Sequence, residues 1–288
     1  MTHASTFPIE RDGWRLHLAD TGLTSGLCEA AVARALEAAR GALGPPKRRS
    51  RHASTWHLRV GSGIELGIFV KLLDPPRGLG AIKGVLRGGR ANHVAHITQA
   101  LNNSGFAAPP LLAYGREAAT GREIMVTPQA DADGPLLVLK ALRAYPVDRK
   151  RSLLRALGAE IARLHRCGFV HGDLTPFNIL FVRAEPPRFV LIDHERTRRS
   201  GLIAPRRQML RNLVQLGRFD LPRVSTTDRM RVVVGYMAML DRGARHTLTR
   251  RLNAMFARRI RRDGIARTGR YGKWGWRDEG APVNDGRG

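Results

Sequence analysis

The sequence predicts a bilobal α+β protein, with a small N-terminal lobe of mixed sheet plus helix and a larger, mainly helical C-terminal lobe. Three observations carry that expectation. Strand-like alternation dominates the first half and helical spacing the second. A polar, turn-rich stretch, Pro128 to Pro135, lies between them as a hinge. The 288 residues are 43% hydrophobic and 25% charged, which suits a globular chain with a sizeable core and not a disordered or collagen-like one.

The elements follow in order. Residues 13–19 alternate and read as a strand. Residues 26–40 are Ala-rich with helical spacing, ended by Gly41 and Gly44-Pro45-Pro46. A basic loop, Lys47 to His52, leads into the clearest hairpin. There Trp56, Leu58 and Val60 alternate with polar residues, Gly61-Ser62-Gly63 turns the chain, and Leu66, Ile68 and Val70 alternate back. Period two puts Lys71 on the face opposite Val70. Residues 77–90 are a glycine-rich basic loop. A helix runs from Arg90 to Asn103 and stops at Gly105, with short strands at 111–115 and 122–127. In the second half Asp148 caps a helix through Arg166, with Leu154, Leu157, Ile161 and Leu164 on one face and Gly168 beyond its end. Further helices are expected at 206–217, 228–241 and 246–262. From Gly264 the Gly- and Arg-rich tail lacks apolar periodicity and is expected to be poorly ordered. The boundaries are therefore 1–127 for the N-terminal lobe, 128–135 for the hinge, 136–262 for the C-terminal lobe and 263–288 for the tail.

Charge narrows the partners. Lys and Arg number 49 against 24 Asp and Glu, a net +25, so an anionic partner is expected: a phosphorylated ligand, an anionic membrane face or nucleic acid. Nucleic acid is disfavoured, because Tyr271, Trp274 and Trp276 are few stacking rings and no recognised nucleic-acid module accompanies them. The N-terminus lacks a signal-peptide pattern, and the longest apolar stretch, near Val232 to Leu240, is short of a membrane span. Two cysteines, Cys28 and Cys167, exclude a disulfide scaffold and a four-Cys zinc site. A reducing, cytoplasmic setting follows.

The strongest chemical signal is His171-Gly172-Asp173-Leu174-Thr175-Pro176-Phe177-Asn178. An apolar strand, Ile179 to Val182, follows it; a second, Phe189 to Ile192, ends at Asp193. A hairpin returns the chain to its start, so Asp173, Asn178 and Asp193 can converge at one end. Phosphoryl transfer from ATP needs a carboxylate near the attacking hydroxyl and oxygen ligands for Mg²⁺. Asp173 suits the first task, Asn178 and Asp193 the second. The spacing H-x-D-x-x-x-x-N matches the catalytic loop of protein kinases. Lys71, ending a strand in the first half, is the natural phosphate-binding partner. His171 fits a loop organiser rather than a proton carrier, Thr175 a residue that orients the loop, and Glu195 either a metal-facing group or an exposed turn. Arg196, Arg198 and Arg199 stand where they could meet an anionic acceptor. Arg250, Arg251, Arg258, Arg259, Arg261 and Arg262 read as a solvated or membrane-facing surface.

With FVKLL at 69–73, NSGFAAPPLLAYG at 103–115, LHRCGFVHGDLTPFNILF at 164–181 and FVLIDHERTRR at 189–199, the chain resembles the protein-kinase-like superfamily. Within it, the chain resembles the lipopolysaccharide kinase (Kdo/WaaP) family; RNLVQLGRF at 211–219 and STTDRMRVVVGYM at 225–237 look like that family's C-terminal half. The resemblance implies a kinase-like fold and a soluble enzyme, peripheral at the cytoplasmic face of the inner membrane. It would use ATP and Mg²⁺ to phosphorylate a heptose or Kdo of lipopolysaccharide core. By position Asp173 would be the base, Asn178 and Asp193 the metal ligands, and Lys71 the phosphate ligand. Two departures stand out. No Asp or Glu occurs between Asp74 and Glu117, so the helix at 90–103 offers Lys71 only Asn92, His93, His96 or Gln99, unless a carboxylate comes from elsewhere. No glycine-rich phosphate loop precedes Lys71; the basic segment Lys47 to Ser54 takes its place. A small-molecule phosphotransferase resembling aminoglycoside or choline kinases shares the same residue set. The missing helix carboxylate also fits a catalytically weak, kinase-like binding protein.

Overall fold

The structure, a computed structural model, describes residues 6–19, 25–50, 52–61, 65–75, 89–130, 136–201, 203–217, 219–220, 224–263 and 266–267. The loop expected at 77–90 falls outside these up to residue 88, as do most of the expected hinge (131–135) and the tail from 268 onward.

The first half is built around the expected hairpin. β4 (Ala53–Val60) runs antiparallel to β5 (Leu66–Leu73), placing Trp56 opposite Val70 and Thr55 opposite Lys71. β5 pairs with β7 (Glu123–Pro128), β7 with β6 (Ala113–Glu117), β6 with β2 (Trp14–Ala19) and β2 with β1 (Thr6–Arg11). β3 (Arg48–Arg49) closes the other edge on β4. Every pairing in this seven-stranded sheet is antiparallel, a correction to the mixed sheet expected. The helical connections join strands that are not neighbours, so no crossover brings parallel strands side by side. β1 was not anticipated. It folds back through Asp12-Gly13, whose φ values of 51° and 79° give the tight hairpin turn that this dipeptide favours.

Alternation assigns the two faces. α1 (Ser25–Ala39) lays Ala31, Val32, Ala35 and Leu36 against Trp14, Trp56, Ile68, Val70 and Val126. On the other face Leu73, Tyr114 and Met125 meet Ala91 and Val94 of α2 (Arg90–Asn103). Farther along α2, Ile97 and Leu101 join the core of the second half. Lys71 lies on this α2 side, as its register requires.

The second half holds α3 (Val138–Ala144), α4 (Val147–Arg166), α5 (Arg206–Gly217), α6 (Thr226–Ala238) and α7 (Arg242–Asp263). Leu154, Leu157, Ile161 and Leu164 of α4 are all buried, as their spacing predicts. Pro146, not Asp148, occupies the α4 N-cap; Asp148 sits in the first turn, where its charge suits the helix dipole. α6 starts earlier than expected because Ser225 and Asp228 form a reciprocal capping box. α7 also starts early: the Asp241 carboxylate accepts from the Ala244 amide at 2.7 Å. α4 and α6 cross backbone to backbone. A Cβ on Gly158 would stand 2.0 Å from the Val232 carbonyl, and one on Gly235 2.1 Å from that of Arg155. Short strands complete this half. β8 (Leu136–Leu137) joins the hairpin of β10 (Ile179–Val182) and β11 (Arg188–Leu191), and β9 (Phe169–Val170) pairs with β12 (Arg198–Arg199). Two residues of the expected disordered tail, Ala266–Arg267 (β14), pair with Phe219–Asp220 (β13). Among the described residues, no helix is long and apolar enough to cross a membrane.

Candidate active site

The segment after β9 folds into a tight loop tied at both ends. Gly172 has φ +72°, and a Cβ there would lie 2.2 Å from the Arg196 carbonyl, so glycine alone fits between loop and neighbour. The Asp173 amide donates to the His171 carbonyl (2.8 Å), and the Thr175 amide to that of Asp173 (2.9 Å). Thr175 shapes the loop through its backbone: it precedes the turn Pro176–Asn178 without a side-chain cap bond. Asn178 Nδ2 donates to the Asp173 carbonyl at 2.9 Å. That bond fixes the amide's orientation and leaves its Oδ1 as a ligand oxygen.

The hairpin then returns the chain, as expected. The Ile192 amide donates to the Asn178 carbonyl (3.1 Å), and His171 Nε2 donates to the Ile192 carbonyl (2.9 Å). His171 is fully buried, and burial pushes its pKa down; its ring ties the loop to the end of the hairpin. Burial also takes His194, which donates to the Leu191 carbonyl, down to about 3. Asp193 itself adopts the left-handed conformation (φ 66°, ψ 61°), a strained state for a non-glycine residue of the kind that collects at functional sites.

Lys71 reaches this end of the hairpin. Its Nζ lies 3.1 Å from Asp193 Oδ1 and also pairs with Glu195 Oε1. Burial between the sheet and the hairpin disfavours the lysine charge, but Asp193 and Glu195 outweigh it and hold the ammonium above the usual lysine range. The same pairing holds the Asp193 carboxyl below its usual range despite burial. None of the α2 candidates fills this role; the carboxylate comes from the turn after Asp193. Glu195 is therefore neither an exposed turn residue nor free to face outward. α2 contributes differently: His93 Nε2 donates to the Thr197 carbonyl at 2.9 Å and anchors the same turn. Arg48, in the expected basic segment, is drawn below the usual arginine range by burial, opposed by the charges of Asp193 and Asp173. Among the described residues no three His, Cys, Asp or Glu side chains gather as a metal cage.

A buried polar chain behind the loop was not singled out from the sequence. Asn212 Oδ1, on α5, accepts from the His171 amide (3.1 Å) and from His165 Nε2 (3.1 Å). Tyr236 on α6 donates to His165 Nδ1 at 2.9 Å. Gln215, held by Asn212 Nδ2, donates to the Gly172 carbonyl at 3.0 Å. Three helices thus hold the loop's backbone through a chain of hydrogen bonds. Of the three arginines after Asp193, Arg196 and Arg198 line a cavity beside Asp173, whereas Arg199 lies over the Phe169 ring.

The lipopolysaccharide kinase (Kdo/WaaP) family profile matches residues 88–236, just over half of the chain. The chain belongs to this family. It is a kinase, a phosphotransferase acting on an alcohol group in lipopolysaccharide biosynthesis. Among solved structures, WaaP in complex with acyl carrier protein aligns over 78% of this chain and 91% of its own, with TM-score 0.56 and 22% identity, a likeness of fold. No curated protein sequence matched. The family segment includes the catalytic loop, Asp193, Glu195, Asn212 and Tyr236. It leaves out Arg48, Lys71 and α7, which only the three-dimensional arrangement brings to the site.

Proposed function

We propose that this kinase transfers the γ-phosphate of ATP to a hydroxyl of heptose or Kdo in lipopolysaccharide inner core, working as a peripheral enzyme on the cytoplasmic face of the inner membrane. The observation that carries the reading is the convergence of Lys71, Asp173, Asn178 and Asp193 at one end of the β10–β11 hairpin, within a chain of this family.

The donor set suits Mg²⁺ delivered with the nucleotide. Asn178 Oδ1 and the Asp193 carboxylate supply two oxygens, and Mg²⁺ characteristically takes one or two protein oxygens plus phosphate and water instead of an all-protein cage. When bound there, the ion offsets charge on the phosphate oxygens. Lys71, kept charged by Asp193 and Glu195, holds the phosphates, and Arg48 adds a second cation at their edge. Asp173 accepts the proton of the acceptor hydroxyl. The acceptor oxygen bonds to the γ-phosphorus as that phosphorus separates from the bridging oxygen of the departing ADP. His171, Asn212 and Gln215 fix the loop so that the Asp173 backbone does not shift during transfer.

The test follows labelled γ-phosphate from Mg²⁺-ATP into delipidated lipopolysaccharide core, aminoglycosides and simple amino alcohols, with wild type beside Asp173→Asn. Label in the core sugar, reduced about 10²- to 10⁴-fold in the variant, is the expected result. Label only in a small alcohol would make this a small-molecule phosphotransferase. Nucleotide binding with no label in any acceptor would favour a binding protein.

A further inference from the structure

Thr197 is almost fully buried, and each of its polar groups ties a different element. Its amide donates to the His194 carbonyl at 3.0 Å and closes the turn that carries Glu195. Its hydroxyl donates to the His171 carbonyl at 3.1 Å and holds the start of the catalytic loop. Its carbonyl accepts from His93 Nε2, on α2, at 2.9 Å. One residue thus joins the turn after Asp193, the loop of Asp173 and a helix of the first half.

α2 is clamped in turn. The Ala91 amide, in its first turn, donates to Glu123 Oε2 at 2.7 Å, and Glu123 on β7 is itself buried. A carboxylate at a helix N-terminus also suits the helix dipole. Glu123 pairs with Leu73 in the β5–β7 register, two residues along from Lys71. The contacts therefore close into a ring: from Lys71 to Glu195, through Thr197 and His93 into α2, through Ala91 to Glu123, and across β7 and β5 back to Lys71. An isolated lysine–glutamate pair leaves two long side chains with much rotamer freedom. A ring anchored in strand and helix removes that freedom before the nucleotide arrives, and orientation fixed in advance contributes to both affinity and rate.

We propose that His93 and Thr197 are positioning residues of the phosphotransfer reaction. α2 aims Lys71 at the nucleotide through His93, Thr197 and Glu195, and Thr197 sets the catalytic loop from the same point. α2 carries no acidic residue, so it acts on the lysine indirectly, through the backbone of the turn. The proposal rests on the kinase reading above and adds to it the residues that orient the nucleotide site.

The experiment reads Mg²⁺-ATP binding by calorimetry beside steady-state kinetics with delipidated core as acceptor. His93→Leu keeps bulk and removes the donor. Its Kd and KM for ATP are expected to rise about tenfold, with the KM for the acceptor unchanged. His93→Gln, whose amide can still donate, restores most of that affinity. In a Glu195→Gln background His93→Leu adds less than about twofold, because both substitutions act on Lys71 by one route. Thr197→Val weakens ATP binding in the same way and also lowers kcat about tenfold, through the catalytic loop. Thr197→Ser, which keeps the hydroxyl, restores both. Effects of His93→Leu and Glu195→Gln that multiply independently would overturn the proposal. So would failure of the Gln and Ser variants to rescue, or equal losses on ATP and acceptor, either of which would mark residues that merely support the fold. The binding arm separates this proposal from the kinase reading. The expected pattern of ATP affinities without phosphate transfer to core would count against the proposed reaction and leave the positioning role of α2 standing. Transfer to core with unchanged ATP affinity in His93→Leu would overturn the positioning role and leave the reaction.

Discussion

Lys71 is held without help from a helix carboxylate. Its partner Glu195 comes from the turn that follows Asp193, so one short segment carries both the proposed metal ligand and the residue that aims the lysine. Charge-assisted contacts of this kind contribute roughly 1.5–3 kcal/mol when well enclosed, and here the partners keep 22–27% of their side-chain exposure, so the lower end applies. Glu195→Gln keeps the shape and removes the charge. The KM for ATP is expected to rise about tenfold while the KM for the acceptor holds, as steady-state kinetics with each substrate varied would show. An equal loss on both substrates would mean that Glu195 merely supports the fold. This pairing was not legible in the sequence, although Lys71, Asp173, Asn178 and Asp193 were. The catalytic loop is recognisable by local spacing, and Lys71 by its place on a strand. The Lys71–Glu195 pair joins distant residues across two halves of the molecule, and no periodicity encodes it. Asn212 was hidden for a related reason: one polar side chain on an amphipathic helix looks the same whether it faces solvent or the loop.

Elements explain how these residues are held. α4 delivers His165, α5 delivers Asn212 and Gln215, and α6 delivers Tyr236, and the chain they form requires α4 and α6 to cross closely. Gly158 and Gly235 permit that crossing. Gly235→Ala adds one methyl where the Arg155 carbonyl already stands. The helices must separate, at a cost of about 1–3 kcal/mol, and Tm is expected to fall by roughly 2–10 °C in a thermal melt. An unchanged Tm would mean that the crossing has slack. The elements themselves were largely legible, because helical and strand periods are local properties. Their edges were less so. The capping box of Ser225 and Asp228 sets the start of α6 two residues before the span that apolar periodicity suggests. β1 was missed because its residues face solvent on nearly every position, leaving no alternation to read, although Asp12-Gly13 announced the turn.

At the scale of the whole molecule, the chain combines a net +25 with a buried histidine in the support of its catalytic loop. Burial takes His165 down to about 4, with Asn212 opposing weakly; the other group facing it is Tyr236, whose own pKa burial raises. In the unfolded chain this histidine titrates near 6.5. Between those values the unfolded chain holds a proton that the folded one refuses, so acidification favours unfolding. The loss begins as pH falls below about 6.5, grows to about 3 kcal/mol near pH 4 and then levels off. Growing self-repulsion acts in the same direction, because protons taken up on acidification add charge to a chain already at a net +25. The two causes separate experimentally. Added salt screens repulsion between exposed charges more than a Debye length apart, about 8 Å at physiological ionic strength, but leaves the cost of a buried imidazolium largely intact. Tm is therefore expected to fall from pH 7 to pH 5 in both low and high salt. His165→Gln, which can still donate to Asn212 but does not titrate, should lower Tm at neutral pH and flatten the acid slope that persists in high salt. A slope identical in the variant would assign the acid sensitivity to the surface charge and to the other buried histidines, His171 and His194.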